Sequence, residues 1–168
     1  MYKALLILAF IFINSAHAES SEKSYAEIYA KEHGTCSSSS CPPGTKVMVS
    51  LAKGDLVFAC DTEERATYTN FVLGMVSFMH DMTGRLPNIS PTTGEPEVTG
   101  QSKEMLDSLR ASAGVKTFDE ATSKCLNEKK VNKKHFMMLN VKNDSDYAWV
   151  GSDSNKLWVP LTAIKPVK

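Results

Sequence analysis

The segment Asp61-Thr-Glu-Glu-Arg-Ala-Thr-Tyr-Thr-Asn-Phe-Val-Leu-Gly-Met-Val-Ser-Phe-Met-His-Asp-Met-Thr-Gly84 decides the fold. It opens with a hydrogen-bond acceptor followed by glutamates, a pattern typical of a helix start, and it closes on a glycine suited to a helix end. The apolar residues between them recur at helical spacing: Tyr68, Phe71, Val72, Met75, Val76 and Met79. The segment predicts a long helix over about residues 61–82, and we interpret its methionines, Met82 included, as core residues.

The flanks of this helix predict the rest of an α+β fold. Two shorter helices are expected over about 100–113 and 117–126, each preceded by a capping threonine. Residues 45–60 predict two strands paired through a tight turn at 53–55, and residues 136–164 predict three more strands. We therefore expect a three-helix core against a small antiparallel sheet. The proline- and glycine-rich stretch 85–99 lacks periodicity and is expected to be a flexible loop.

The N-terminal residues have the pattern of a secretory signal peptide over residues 1–18. Lys3 precedes an apolar run of ten residues, Ala4–Ile13, and small residues then stand before the predicted cleavage site after Ala18. A membrane-spanning helix needs about 20 apolar residues, so this run is too short for an anchor. The prediction is a periplasmic or secreted protein whose mature part, residues 19–168, is a single domain with no transmembrane segment.

The charge balance excludes a general affinity for nucleic acid. Removal of Lys3 leaves 18 basic residues against 19 acidic ones, because the whole chain has 19 of each. A chain so close to neutral has no global electrostatic attraction to DNA or RNA, so charged partners must be sought in local patches.

The four cysteines, Cys36, Cys41, Cys60 and Cys125, favour two disulfides in an oxidising compartment. Three pairings are open, and we favour Cys36–Cys41 with Cys60–Cys125 because the four serines between the first two form a short flexible loop. A zinc site using His33 with Cys36 and Cys41 lacks a fourth ligand and the usual paired spacing. We therefore expect no metal and no cofactor.

Catalytic patterns are absent from the sequence. The histidines of the mature chain, His33, His80 and His135, occur in no recognised catalytic spacing, and the chain has no glycine-rich phosphate loop. The carboxylate pairs lie at predicted helix starts, where the helix dipole explains them. The expectation is a protein that is not an enzyme.

Two groups of side chains are candidates for partner binding. The stretch 124–135 is rich in lysine and could attract an acidic partner, a lipid headgroup or an anionic glycan, although a solvated connector is the preferred interpretation; its candidate residues are Lys129, Lys130, Lys133 and Lys134. The aromatic residues of the C-terminal strands could stack on sugars or anchor a protein, or else fill the strand core; they are Tyr147, Trp149 and Trp158.

Residues 56–125 resemble the Rap/Tai immunity proteins of bacterial type VI secretion. The resemblance rests on Leu56–Cys60, Phe71–Val76, Val98–Gln101 leading into Met105-Leu106, and Cys125. That family usually carries two further cysteines between its outer pair, and this chain has none there. The resemblance implies an exported helical protein that binds and blocks a peptidoglycan amidase, and it matches the outer cysteine pair to Cys60–Cys125.

The strands on either side of this region are similar to those of bacterial SH3-like domains, small barrels that often bind cell-wall peptides. The similar stretches are Gly44–Phe58, then Ala148–Val150 and Lys156–Ile164. The similarity implies that the sheet is an SH3-like barrel. Together these observations predict an exported inhibitor or immunity protein against a cell-wall hydrolase, with a peptidoglycan- or glycan-binding SH3-like module as the alternative. An enzyme with a site built from scattered residues is the third hypothesis.

Overall fold

The computed structural model describes residues 34–37, 39–142, 144–152 and 155–167. The predicted signal peptide, and His33 of the considered zinc site, lie outside these ranges. The helices are α1 (Glu63–Thr83), α2 (Gln101–Ser112), α3 (Phe118–Thr122) and α4 (Glu128–Val131), with a 3-10 turn at Leu161–Ala163. The strands are β1 (Lys46–Val49), β2 (Phe58–Cys60), β3 (Cys125–Asn127), β4 (His135–Val141), β5 (Tyr147–Gly151), β6 (Lys156–Pro160) and β7 (Ile164–Pro166).

The chain has an α+β architecture in which two main helices, α1 and α2, accompany an open antiparallel sheet of seven strands. The strand order is β3-β2-β6-β5-β4-β1-β7. Among the described residues, no helix is both long and apolar enough to cross a membrane.

The long helix α1 follows the sequence prediction closely. Thr62 caps its start, because the side-chain oxygen accepts a hydrogen bond from the Arg65 N–H at 3.2 Å. Gly84 ends it in the left-handed conformation and donates its N–H to the His80 carbonyl. The local signals at the two ends were therefore sufficient to place the helix.

The predicted pairing of the two strands within 45–60 is wrong. A turn does form around Gly54, where the Asp55 N–H donates to the Ala52 carbonyl at 3.2 Å. However, β1 pairs with β4 and β7, and β2 pairs with β3 and β6. The reason is that the chain leaving β1 bonds to distant residues: the Ser50 N–H donates to the Ala163 carbonyl. The two strands are thereby drawn to different parts of the sheet.

The third helix is shorter than the predicted 117–126. Thr117 caps α3 by accepting from the Glu120 N–H at 3.1 Å, but the helix ends at Thr122. Cys125 instead lies in strand β3, directly opposite Cys60 in β2. Because Cys125 pairs with Cys60 in the sheet, its backbone is extended and the helix ends before it.

The structure contains the disulfides Cys36–Cys41 and Cys60–Cys125, the pairing favoured from the sequence. The first joins cysteines 5 positions apart in the sequence, and the second joins cysteines 65 positions apart. Both bridges indicate an oxidising, extracytoplasmic compartment. The four cysteines supply no thiolate for a metal, and the described ranges hold no group of three His, Cys, Asp or Glu side chains placed to bind one.

Two hydrophobic clusters form the interior. The first lies on the inner face of the sheet and joins residues of β1, β2, β4, β5 and β6 to the Cys36–Cys41 loop and Val131 of α4. The second lies between α1, α2 and α3 and is built around Tyr68, Val72 and Leu106. Helix α1 packs on the outer face of the sheet, mainly against β2, β5 and β6. Asn70 fixes this contact, since its side chain accepts from the Phe58 N–H at 2.9 Å and donates to the Phe58 carbonyl at 2.8 Å.

Candidate interaction surfaces

The two tryptophans form one cross-strand pair on the outer face of the sheet. Trp149 lies opposite Trp158, and their rings are stacked with centroids 6.4 Å apart and planes at 20°. The Lys142 ammonium lies over the Trp158 ring at 5.0 Å, and the Lys156 ammonium lies over the Trp149 ring at 5.5 Å. Stacking and cation–π contacts thus occupy ring faces that a sugar would need.

Glu63 at the start of α1 holds one of these lysines in place. Its carboxylate forms an ion pair with Lys142 and accepts a hydrogen bond from the Ser145 hydroxyl at 2.6 Å. Partial burial acts to raise the pKa of Glu63, but the hydrogen bonds from Lys142 and Ser145 outweigh it and hold that pKa below its ordinary value. The pair of indoles is therefore part of a fixed link between the sheet and α1.

Tyr147 does not join the tryptophans as an exposed aromatic surface. Burial, with the negative charge of Asp146, raises the pKa of its hydroxyl well above the ordinary tyrosine value, while a hydrogen bond with Asn70 of α1 acts in the opposite direction. The Tyr147 side chain thus lies beneath α1, and it supports the helix rather than extending the tryptophan pair.

The four candidate lysines are exposed and lie away from the tryptophans. Lys129 and Lys130 belong to α4, whose Val131 is buried in the inner-face cluster, whereas the tryptophans lie on the outer face. Lys133 and Lys134 follow in the turn before β4, and the Lys133 N–H donates to the Val49 carbonyl at 2.8 Å. The structure therefore does not assemble the lysines and the tryptophans into one site.

The second half of α1 exposes an apolar face. Phe71 and Met75 pack against the helical cluster, and the same stripe continues at helical spacing to Phe78 and Met82, which are 66% and 71% exposed. The interpretation of Met82 as a core residue is wrong, because the sheet and α2 cover only the first part of the helix. Leu86, just beyond the helix, is exposed as well. This α1 apolar end, Phe78, Met82 and Leu86, is the most prominent uncovered hydrophobic feature of the described chain.

A buried charged network was not predicted from the sequence. Glu95, in the stretch 85–99, is only 3% exposed. Its carboxylate accepts a hydrogen bond from the Tyr68 hydroxyl at 2.6 Å and forms an ion pair with Arg110 of α2. Arg110 also contacts Asp107. Burial acts to lower the pKa of Arg110, but its bonds to Glu95 and Asp107 keep that pKa raised. Sequence spacing gives no signal for this network, since its members lie in three different segments.

The network lines a shallow cleft of about 240 Å³ between the 85–99 stretch and α2. The stretch itself folds back through a bridge between Ile89 and Pro96, and its Thr93 carbonyl accepts from the Phe118 N–H at 2.8 Å. Because the Glu95 carboxylate bonds both Tyr68 of α1 and Arg110 of α2, the network holds the stretch against the two main helices.

A second cleft of about 320 Å³ lies beside the Cys36–Cys41 loop. Pro42, Lys142 and Leu161 are among its lining residues. The first cleft is lined by hydroxyl and charged side chains, Ser90, Lys103 and Asp107 among them, and the second mainly by the disulfide loop and its neighbours. No family model, curated protein or solved structure matches this chain.

Proposed function

We propose that this protein is an exported binding protein without catalysis, an inhibitor or immunity protein that blocks a cell-wall-degrading hydrolase in the periplasm. The observation that carries the proposal is the α1 apolar end. Large apolar patches are rare on monomeric soluble proteins and are typical of protein contact sites, and Phe78, Met82 and Leu86 are the three most exposed large hydrophobic side chains of the described chain. The resemblance of residues 56–125 to immunity proteins supplies the class of partner, and the two disulfides agree with an extracytoplasmic location.

The shape of the α1 apolar end suits a protein partner. Phe78 and Met82 are one helical turn apart, so they present adjacent side chains to the same surface. Large aromatic and methionine side chains are enriched at the centres of protein interfaces. A helix face of this kind can enter a groove, and occupation of a hydrolase groove is enough to block its activity without any chemistry.

The alternative, an SH3-like module that binds peptidoglycan or another glycan, has weaker support. It would use the sheet as a curled barrel, and the continuous inner-face cluster agrees with such curling. However, its aromatic platform would have to be Trp149 and Trp158, whose rings are stacked on each other and contacted by Lys142 and Lys156. A sugar would have to displace those contacts before it could stack.

The test is inhibition of purified peptidoglycan hydrolases, with amidases, glycosidases and peptidases assayed separately on isolated sacculi. We expect stoichiometric inhibition of one class. Phe78→Asp combined with Met82→Lys should weaken that inhibition by about thirtyfold or more, the effect of losing an interface hot spot. Leu56→Asp is the matched control, since Leu56 is 61% exposed but lies in the turn between β1 and β2. Absence of inhibition for every class, together with direct binding to sacculi, would support the glycan-binding alternative instead.

A further inference from the structure

Strands β4, β1 and β7 have an outer face on which none of the described helices packs closely. Helix α1 packs mainly against β2, β5 and β6, and in the described part of the chain no helix makes comparable contact with β4, β1 or β7. The inner-face residues of these strands, such as Val47 and Phe136, are buried, so the alternate residues point outward. We call this outward set the open face: Lys46, Met48, His135, Met137 and Lys165.

The register brings the open-face residues together in two adjacent rows. Met48 lies opposite both His135 and Lys165, and Lys46 lies opposite Met137. Lys46 and His135 are exposed, and Met137 is 38% exposed. The three strands contain no aspartate or glutamate. The open face is therefore basic and partly apolar, with no acidic side chain from its own strands.

The candidate lysines extend this basic face at one end of β1. The Lys133 N–H donates to the Val49 carbonyl at 2.8 Å, and the Val49 N–H donates to the Lys134 carbonyl at 3.1 Å. These two hydrogen bonds fix the turn against the strand. Lys129 and Lys130 stand immediately before it, and none of the four lysines forms an ion pair with another described residue. Lys46 and Lys165 thus lie on the open face, the Lys133–Lys134 turn is bonded to the end of β1, and Lys129 and Lys130 precede that turn on α4.

We propose that the open face and the adjoining lysine turn bind the surface of an anionic phospholipid membrane. Clusters of several lysines are attracted to anionic lipid headgroups, and the binding free energy grows with the number of lysines near the membrane surface. Lysine acts as a hydrated point charge on a flexible stem, so it can contact an array of headgroups without a fixed geometry. Met137 adds an apolar side chain that can reach the acyl boundary. The inference is independent of the proposed hydrolase partner.

Other polyanions fit this face less well. Neither of the two clefts described above is lined by any of these lysines. The open face contains no aromatic side chain on which a sugar could stack. Protein interfaces are depleted in lysine relative to other surfaces. A negatively charged surface is a ligand that a basic sheet face can contact without a groove.

The test is co-sedimentation of the exported protein with vesicles rich in phosphatidylglycerol, compared with vesicles of phosphatidylcholine alone. We expect binding to the anionic vesicles only, and a fall of at least about tenfold in the partition coefficient when NaCl is raised from about 0.05 M to about 0.3 M. The variant Lys46→Gln/Lys165→Gln and the variant Lys129→Gln/Lys130→Gln should each reduce the coefficient by about tenfold or more.

The control is Lys103→Gln/Lys116→Gln, which removes the same charge from exposed lysines on and after α2 and should leave vesicle binding nearly unchanged. Circular dichroism spectra and melting temperatures show whether each variant is folded. Equal losses in the control and test variants would overturn the proposal, because they would reflect net charge alone. It would also be overturned by failure to bind anionic vesicles, or by lysine-dependent binding to sacculi in place of vesicles.

Discussion

The Tyr68 hydroxyl donates a hydrogen bond of 2.6 Å to the Glu95 carboxylate across 27 residues of sequence. Tyr68 lies on α1 and is completely buried, so the bond ties the 85–99 stretch to the centre of the helical cluster. Arg110 binds the other carboxylate oxygen. A carboxylate in this environment is stable only while both partners are present, because an unpaired buried charge is costly.

Removal of either partner should therefore destabilise the fold. Tyr68→Phe is expected to lower the free energy of unfolding by about 2 kcal/mol, the contribution of a hydrogen bond to a charged group. Arg110→Met should cost about 3 kcal/mol or more, since it leaves Glu95 buried without a countercharge. Urea unfolding followed by circular dichroism measures both changes. Arg110→Met combined with Glu95→Gln should cost less than the two single changes added together, and simple additivity would contradict the coupling.

The same hydrogen bond predicts a loss of stability at high pH. Burial, together with the bond to Glu95 and its negative charge, raises the pKa of Tyr68 well above the ordinary value of about 10. Because the raised pKa belongs to the folded state, the stabilisation is complete below about pH 10 and is lost as the pH rises from there through the folded-state pKa. The free energy of unfolding should fall more steeply above about pH 10 in the wild type than in Tyr68→Phe. Parallel curves would exclude Tyr68 as the source.

The two disulfides should differ in their contribution to stability. In the chain-entropy treatment, the long Cys60–Cys125 loop gives about 4 kcal/mol and the short Cys36–Cys41 loop about 2 kcal/mol. Replacing the Cys60–Cys125 pair by alanines should thus cost about twice as much as replacing the other pair. Non-reducing peptide mapping verifies the pairing in each variant, and equal losses for the two replacements would argue against loop entropy as the main cause.

The sequence predicted those elements whose signals are local. The threonine cap, the apolar stripe and Gly84 predicted the position of α1. Short apolar runs separated by turn residues predicted β4, β5 and β6. The pairing of the strands was harder to predict from the sequence, because hydrogen bonds between distant segments determine which strands lie side by side. The bond from Ser50 to Ala163 separates β1 from β2, and nothing within 45–60 indicates it. The sequence likewise predicts Cys125 in a helix because its pairing with β2 is not visible locally, although the disulfide to Cys60 was predicted correctly.

The surfaces were predictable only as lists of residues. Lysine-rich and aromatic stretches are visible in the sequence, but the face on which each lies depends on the sheet register. Lys46 and Lys165 are far apart in sequence and become neighbours only because β1 lies between β4 and β7. Exposure of Phe78 was equally hidden, since its spacing continues the buried stripe and only the limited extent of the sheet and α2 leaves it uncovered.

Lys133 has a backbone conformation that favours glycine. Its φ angle is 62°, and it is the one residue other than glycine with positive φ in the described ranges. The left-handed conformation costs an L-residue roughly 1 kcal/mol. Residues that retain such strain are often needed for reasons other than folding. The charge of Lys133, whose backbone is bonded to Val49 at the end of β1, is a candidate for that reason.

Lys133→Gly is therefore expected to raise the free energy of unfolding by about 1 kcal/mol. Lys134→Gly, the matched control at an ordinary φ, should lower it by about 0.5–1 kcal/mol because glycine adds freedom to the unfolded chain. Both variants lose one charge and should bind phosphatidylglycerol vesicles more weakly than the wild type. Thermal melts and vesicle co-sedimentation on the same samples separate the two effects. A variant at 133 that is more stable yet binds less would show that the strain is maintained for the charge, whereas equal destabilisation at 133 and 134 would contradict the left-handed conformation itself.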